Sequence, residues 1–426
     1  MEKYKNKDEY EQDVELRSML PKGFKVGVVP LEFFPIEKNL VKPLPMKLSL
    51  IVLDEETDSF GAVFTKNKFP GHPVTHGRER LNNRTIKGVI INNKISNVRC
   101  NGGLEDISLI TNELGRAFSC NESLFFSSST GIIGWKLPVN DILLKIPALA
   151  DSISNESIFP LAKGIMTTDN FPKVRSAELK GGRIVAVAKG AGMIEPNMAT
   201  MLLFILTDIN IERNSIREIL KQVMDRTFNR ISIDSDQSTS DTGIIFSSKL
   251  VNGVSLIEFE NSLLSICRDL ATDVVRNGEG TSHVIEVRVC GAKSEKDALD
   301  IGKAIINAPL FKAAIYGNDP NLGRILQSIG DVSGNFDIDI NPDILTLTMG
   351  GYTLYDNGSF ILNEELENRL NSYLKECSLR EESLGFPEHR KNVEIVVDLK
   401  LGDKEATVYG SDLSYEYVRE NADYRS

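Results

Sequence analysis

Apolar residues recur along the chain with two periods. Short apolar stretches at 48–53, 60–64 and 88–91, separated by turn residues such as Asp58 and Ser59, predict strands in the N-terminal third. The run from Met201 to Leu206 is unbroken by any polar residue, which predicts a strand buried on both faces. Ile285, Val287 and Val289 alternate with Glu286 and Arg288, so that strand should be half exposed. Helical spacing appears at Ile216, Leu220, Val223 and Met224, with Asn214 as N-cap, and again at Leu256, Phe259, Leu263, Ile266, Leu270 and Val274 before Asn277-Gly278. Ser294 with Asp297 opens another helix in capping-box fashion, and Leu366, Leu370, Leu374 and Cys377 mark a late one. Residues 393–401 and 406–409 flank Gly402-Asp403 as a hairpin. Strands interleaved with helices and antiparallel hairpins predict a mixed α/β, α+β-like layered protein. Residues 1–20, of mixed charge, are expected to form a flexible, solvated extension.

Composition narrows the class without naming a function. A chain of 426 residues exceeds ordinary single-domain size, so one large or two closely packed domains are expected. Hydrophobic residues at 41% and charged residues at 26% exclude a disordered or fibrous chain. The net charge of -11 would repel a phosphate backbone, so nucleic acid is not an expected partner. Cys100, Cys120, Cys267, Cys290 and Cys377 show no CxxC spacing, and His72, His76, His283 and His389 form no Cys/His cluster with them. Reduced thiols, no metal site and a cytoplasmic location are the resulting expectations. No apolar run approaches the roughly 20 residues of a membrane helix, so no membrane partner is expected.

The candidate chemistry lies in Lys-Gly-Ala-Gly-Met-Ile-Glu-Pro-Asn-Met-Ala-Thr-Met-Leu at 189–202. Gly190, Gly192 and Pro196 predict a tight, non-helical turn that delivers Thr200 to the start of the 201–206 strand. On local pattern alone Thr200 is an ordinary β-branched strand residue. If the 199–200 peptide bond were cut, its hydroxyl would stand beside a free α-amine, a nucleophile carrying its own base. A phosphate loop is disfavoured, because the Gly-Lys-Ser/Thr ending and a following helix are both missing.

This run resembles the self-processing segment of the ornithine acetyltransferase family of arginine biosynthesis. Other blocks extend the resemblance over most of the chain: Ser-Thr-Gly-Ile-Ile-Gly at 129–134, Met-Thr-Thr-Asp at 166–169, Asn-Arg-Ile at 229–231 leading to Ser-Asp-Thr at 240–242, and Asn-Gly-Glu-Gly at 277–280. Asp-Pro-Asn at 319–321 with Gly-Arg-Ile at 323–325, and the closing Asn-Ala-Asp-Tyr-Arg-Ser at 421–426, complete it. The resemblance implies helices sandwiching sheets with a smaller C-terminal lobe, a fold shared with β-aminopeptidases. It implies cleavage between Ala199 and Thr200, giving chains 21–199 and 200–426 that assemble as a heterotetramer of two pairs. Thr200 is then the nucleophile, Thr130 and Gly131 the oxyanion hole, and Thr167, Lys189, Thr200, Glu279, Asn421 and Ser426 the substrate contacts. The implied reaction moves acetyl from N-acetyl-L-ornithine to L-glutamate with no cofactor, and acetyl-CoA is a candidate co-substrate because the family holds members with one and with both activities.

The sequence departs from the family pattern at 92–97, where a Ser-Gly-Asn-Ala-Asn-like segment is replaced by Asn-Asn-Lys-Ile-Ser-Asn, and at His283 and Leu322. These changes bear on substrate preference. Two other readings follow from the same residues: an N-terminal-nucleophile amidohydrolase or aminopeptidase, and a catalytically degenerate family member.

Overall fold

The computed structural model describes residues 4–195, 201–379 and 391–422. Three sheets carry the chain. In the first, Phe24–Phe33, Leu44–Thr57, Ile86–Asn92 and Phe125–Ser129 lie side by side, antiparallel except for the last pair. In the second, Phe60–Phe64, Thr242–Val251, Leu202–Ile209, Gly182–Lys189 and Lys173–Leu179 follow in that order, with Thr242–Val251 parallel to Leu202–Ile209. The third has seven strands, with Val393–Asp398 in the middle and Val284–Ala292 beside it, and belongs mostly to the C-terminal third.

The first two sheets pack face to face. Ile51, Val89, Ile91 and Phe126 of one meet Val187, Phe204, Leu206 and Phe246 of the other in a common core. On the outer face of the second sheet, Ile184, Leu203 and Ile205 pack against the helices Arg213–Arg226 and Leu256–Arg276. On the outer face of the first, Leu48, Leu50 and Ile90 pack against Gly103–Ala117 and Val139–Asp151. The layers thus run helix, sheet, sheet, helix. Leu202–Ile209 is buried at every position, because even-numbered residues face one core and odd-numbered residues the other. That is the physical reason for the unbroken apolar run from Met201 to Leu206.

Three expectations change. The described part of the 1–20 extension is not a solvated tail: Lys7–Leu16 is a helix capped by Asn6, with Tyr10 and Val14 buried against Phe171 and Val174. Two buried residues on a short charged helix give little signal, and their partners lie some 160 residues away. The helix expected to have Asn214 as its N-cap starts at Arg213, with Glu212 at the N-cap position making no side-chain capping bond and Asn214 in the first turn. Its start is set by Arg213, which donates to the carbonyls of Leu81, Asn83 and Arg84. The expected hairpin around Gly402-Asp403 is split: Val393–Asp398 and Lys404–Ser411 each pair with Val284–Ala292, which lies between them, the first parallel and the second antiparallel. The apolar Ile285, Val287 and Val289 gain two hydrogen-bonded neighbours this way, and the connecting segment wraps the strand end through Leu399 and Leu401 donating to Cys290 and Gly291.

Candidate active site

The sheet edges converge on a cavity of about 270 Å³ lined by Thr130, Gly131, Thr167, Lys189, Glu279 and Asn421, together with Ser96, Gly192 and Met193. Six positions singled out in the sequence, drawn from five separate segments, therefore face one space. Ala199, Thr200 and Ser426 lie outside the described residues.

Thr130 and Gly131 follow the strand Phe125–Ser129. Ser129 Oγ donates to Asn92 Oδ1 at 2.6 Å and Thr130 N to the Asn92 carbonyl at 3.1 Å, which fixes where the strand ends. Gly131 has φ +125°, and a Cβ there would lie 2.1 Å from the Lys94 carbonyl carbon. Only glycine fits. Its neighbour Ile132 donates to the Lys94 carbonyl at 2.9 Å, so the segment 92–97 backs the Thr130-Gly131 wall.

Asp169 ties two other walls together. Its carboxylate accepts from Thr167 N at 3.1 Å and, in the interior, from Gly190 N at 2.9 Å and Lys173 Nζ at 2.5 Å. Burial pushes its carboxyl up, but the Lys173 and Lys189 ammonium groups and the hydrogen bonds from Lys173 and Gly190 outweigh that and hold it down at about 2. Asn277 Oδ1 accepts from Asn170 N and Phe171 N at 3.1 Å each, fixing the rest of this loop. Lys189 ends its strand half-buried, opposite Leu202 in register.

Glu279 is 6% exposed. Its backbone N–H donates to Ala191 at 2.8 Å, and its Oε2 accepts from Asn421 Nδ2 at 2.8 Å. A Cβ at Gly192 would sit 2.3 Å from that same Oε2, so glycine lets the turn close over the carboxylate. Asn421 comes from the helix Tyr415–Ala422 and brings the C-terminal segment over the cavity.

The turn leading to the candidate cleavage segment is pinned from one loop. Asp234 accepts from Met193 N at 2.6 Å and Ile194 N at 2.7 Å, Ile233 N donates to Ile194, and Glu195 N donates to Asp236. On the far side, Met201 is buried and its carbonyl accepts from Thr242 N at 2.9 Å. The chain is thus fixed at Glu195 and at Met201.

Asp169, Asn277 and Asp234 were not predicted as site residues. Asp169 and Asn277 stand inside quoted motifs, but their work is done by accepting backbone N–H groups, which no sequence pattern discloses. His283 and Leu322 do not line the cavity. His283 is buried, with Nδ1 2.9 Å from Asp412 Oδ2 and Nε2 3.1 Å from the Leu374 carbonyl, a tie within the third sheet's surroundings. Leu322 is buried in the core of the C-terminal lobe. Among the described residues no group of three or more His, Cys, Asp or Glu side chains could hold a metal, no helix is long and apolar enough to cross a membrane, and no histidine lines the cavity.

The profile of the ArgJ family matches residues 38–426. The chain belongs to the ArgJ family. It is an enzyme of that family, whose members are ornithine acetyltransferases and bifunctional enzymes of arginine biosynthesis. The arginine biosynthesis bifunctional protein ArgJ 2 of Clostridium acetobutylicum is 38% identical over 89% of this chain and 93% of its own length. A glutamate N-acetyltransferase of Methanocaldococcus jannaschii is 40% identical over 89% of this chain and 94% of its own. A solved structure of the arginine biosynthesis bifunctional protein argJ of Bacillus halodurans is 32% identical, covers 53% of this chain and all of that one, and has a TM-score of 0.46.

Proposed function

We propose that the chain moves acetyl from N2-acetyl-L-ornithine to L-glutamate through an acetyl ester on Thr200. The observation that carries this reading is the convergence of Thr130, Gly131, Thr167, Lys189, Glu279 and Asn421 on one cavity, in a member of a family whose relatives carry glutamate N-acetyltransferase names.

Processing comes first. Thr200 Oγ attacks the Ala199 carbonyl, the C–N bond breaks to give an ester, and water hydrolyses that ester to leave a carboxylate at Ala199 and a free amine at Thr200. An α-amine has an ordinary pKa of about 7.7 to 8.0, near enough to neutrality to take the hydroxyl proton. Thr200 Oγ then attacks the acetyl carbonyl of N-acetylornithine, the oxyanion is met by the Thr130 hydroxyl and the Gly131 N–H, and collapse expels the ornithine α-amine, which takes the proton. The amine of glutamate attacks the acetyl ester, the C–O bond breaks, and Thr200 regains its hydroxyl. Lys189 is assigned to the substrate α-carboxylate and Glu279 to the ornithine side-chain ammonium, with Thr167, Asn421 and Ser426 closing the pocket.

Intact mass of purified protein should show two chains divided between Ala199 and Thr200, and Thr200→Ala should abolish both the division and acetyl transfer. A Thr200→Ala protein that still transfers acetyl would falsify the mechanism. Release of acetate without transfer to glutamate would favour the amidohydrolase reading, and a stable uncut chain the degenerate one. Glutamate acetylation with acetyl-CoA as sole donor tests the second activity, and light-scattering mass tests the assembly of two pairs.

A further inference from the structure

A second hollow, about 340 Å³, opens over the same wall as the active-site cavity: Gly131, Ile132, Thr167 and Thr168 border both, and Lys94 and Glu420 flank the second. Lys94 has a left-handed backbone, φ +74°, locked by its carbonyl's bond to Ile132 N and by the close approach of Gly131. Its side chain is exposed, and its ammonium has no carboxylate or carbonyl partner among the described residues. Glu420 sits next to Asn421, which is bonded to Glu279. Burial and the negative charge of Glu279 push the Glu420 carboxyl up, so the two carboxylates share one field.

An acetyl site used by two amino acids meets opposite side-chain charges. Ornithine presents an ammonium, which suits Glu279 and Glu420; glutamate presents a carboxylate, which both repel. The one lysine on the wall of the second hollow is Lys94. Resting on the acetyl-transfer reading, we propose that Lys94 receives the side-chain carboxylate of the acidic acceptor, so that cationic and anionic side chains leave the common acetyl position in different directions.

The test is the ratio of kcat/KM for glutamate to that for glutamine as acceptor, with N-acetylornithine as donor. The two acceptors differ by one charge, so a change in folding or in acetyl-enzyme formation cancels in the ratio. Lys94→Gln should lower it about tenfold, the equivalent of roughly 1.4 kcal/mol. Lys94→Glu should lower it further, and Lys94→Arg should keep it within about threefold of the parent. Unchanged ratios in Lys94→Gln and Lys94→Glu overturn the proposal and leave acetyl transfer standing. Mass spectrometry of the parent enzyme with donor alone separates the other failure: if no acetylated Thr200 chain forms and glutamate receives nothing, the acetyl-transfer reading fails and this assignment falls with it.

Discussion

Asp169 shows how one side chain can organise a site without reacting. It accepts from the Thr167 loop and from the Gly190 turn while paired with Lys173, and neither side chain of the pair is exposed. A buried ammonium deprived of its anion is costly, about 3 to 5 kcal/mol, so Asp169→Asn should lower the free energy of unfolding in urea by that amount. The pH dependence has a definite sign. The folded carboxyl titrates at about 2 against an ordinary 3.8, so folding favours the ionised form. Its stabilisation is complete above about pH 4 and is lost as the pH falls toward 2. The difference between parent and Asp169→Asn in urea unfolding should therefore narrow below pH 4, and a constant difference from pH 5 to 2 would contradict the assignment. Thr167, Lys189 and Glu279 were marked by the resemblance of their motifs to those of a known family. Asp169 could not be, since two of its three partners are backbone N–H groups 2 and 21 residues away.

The helix Lys7–Leu16 makes the corresponding point for elements. Tyr10 donates to the Pro172 carbonyl at 3.0 Å and packs edge-on against Phe171 at 5.2 Å, so the helix braces the far end of the Thr167 to Lys173 segment. Tyr10→Ala should destabilise the protein by about 3 kcal/mol, as large-to-small changes in a core do, measured by urea unfolding. A loss below 1 kcal/mol would mean that the helix merely rests on the surface. The family profile begins at residue 38, so this brace lies outside the part of the chain that the family defines. Local signals located Leu256–Arg276 well, because its apolar residues keep helical spacing up to the stop at Asn277-Gly278; the structure adds a complete capping box of Ser255 and Glu258 at its start. Local signals failed for Val393–Asp398 and Lys404–Ser411, since a short turn between apolar stretches looks alike whether the strands pair directly or around a third.

For the molecule as a whole, position 200 divides the second sheet unevenly. Phe60–Phe64, Gly182–Lys189 and Lys173–Leu179 come from before it, Leu202–Ile209 and Thr242–Val251 from after it, and the two groups interleave. Each part hydrogen-bonds to the other along two strand pairs and shares both cores that flank the sheet. Chains separated between 199 and 200 should therefore elute together in native size-exclusion chromatography and part only in denaturant. Separate native elution would show that the interleaved sheet does not hold them.

The sequence by itself determined most of the element types and the doubly buried strand after position 200, and its resemblance to a family marked the residues expected to carry acyl transfer. The first two depend on spacing and apolar character, which are local, and the last on matched blocks such as the one around Gly131. Tertiary structure alone decided that five distant segments enclose one cavity, that Asp169 and Asp234 hold its loops, that His283 is a structural tie, and that Lys94 stands over a hollow beside the site. Those outcomes depend on which surfaces meet and which backbone N–H groups need an acceptor when sheets and helices stack, and a linear order of residues does not record either.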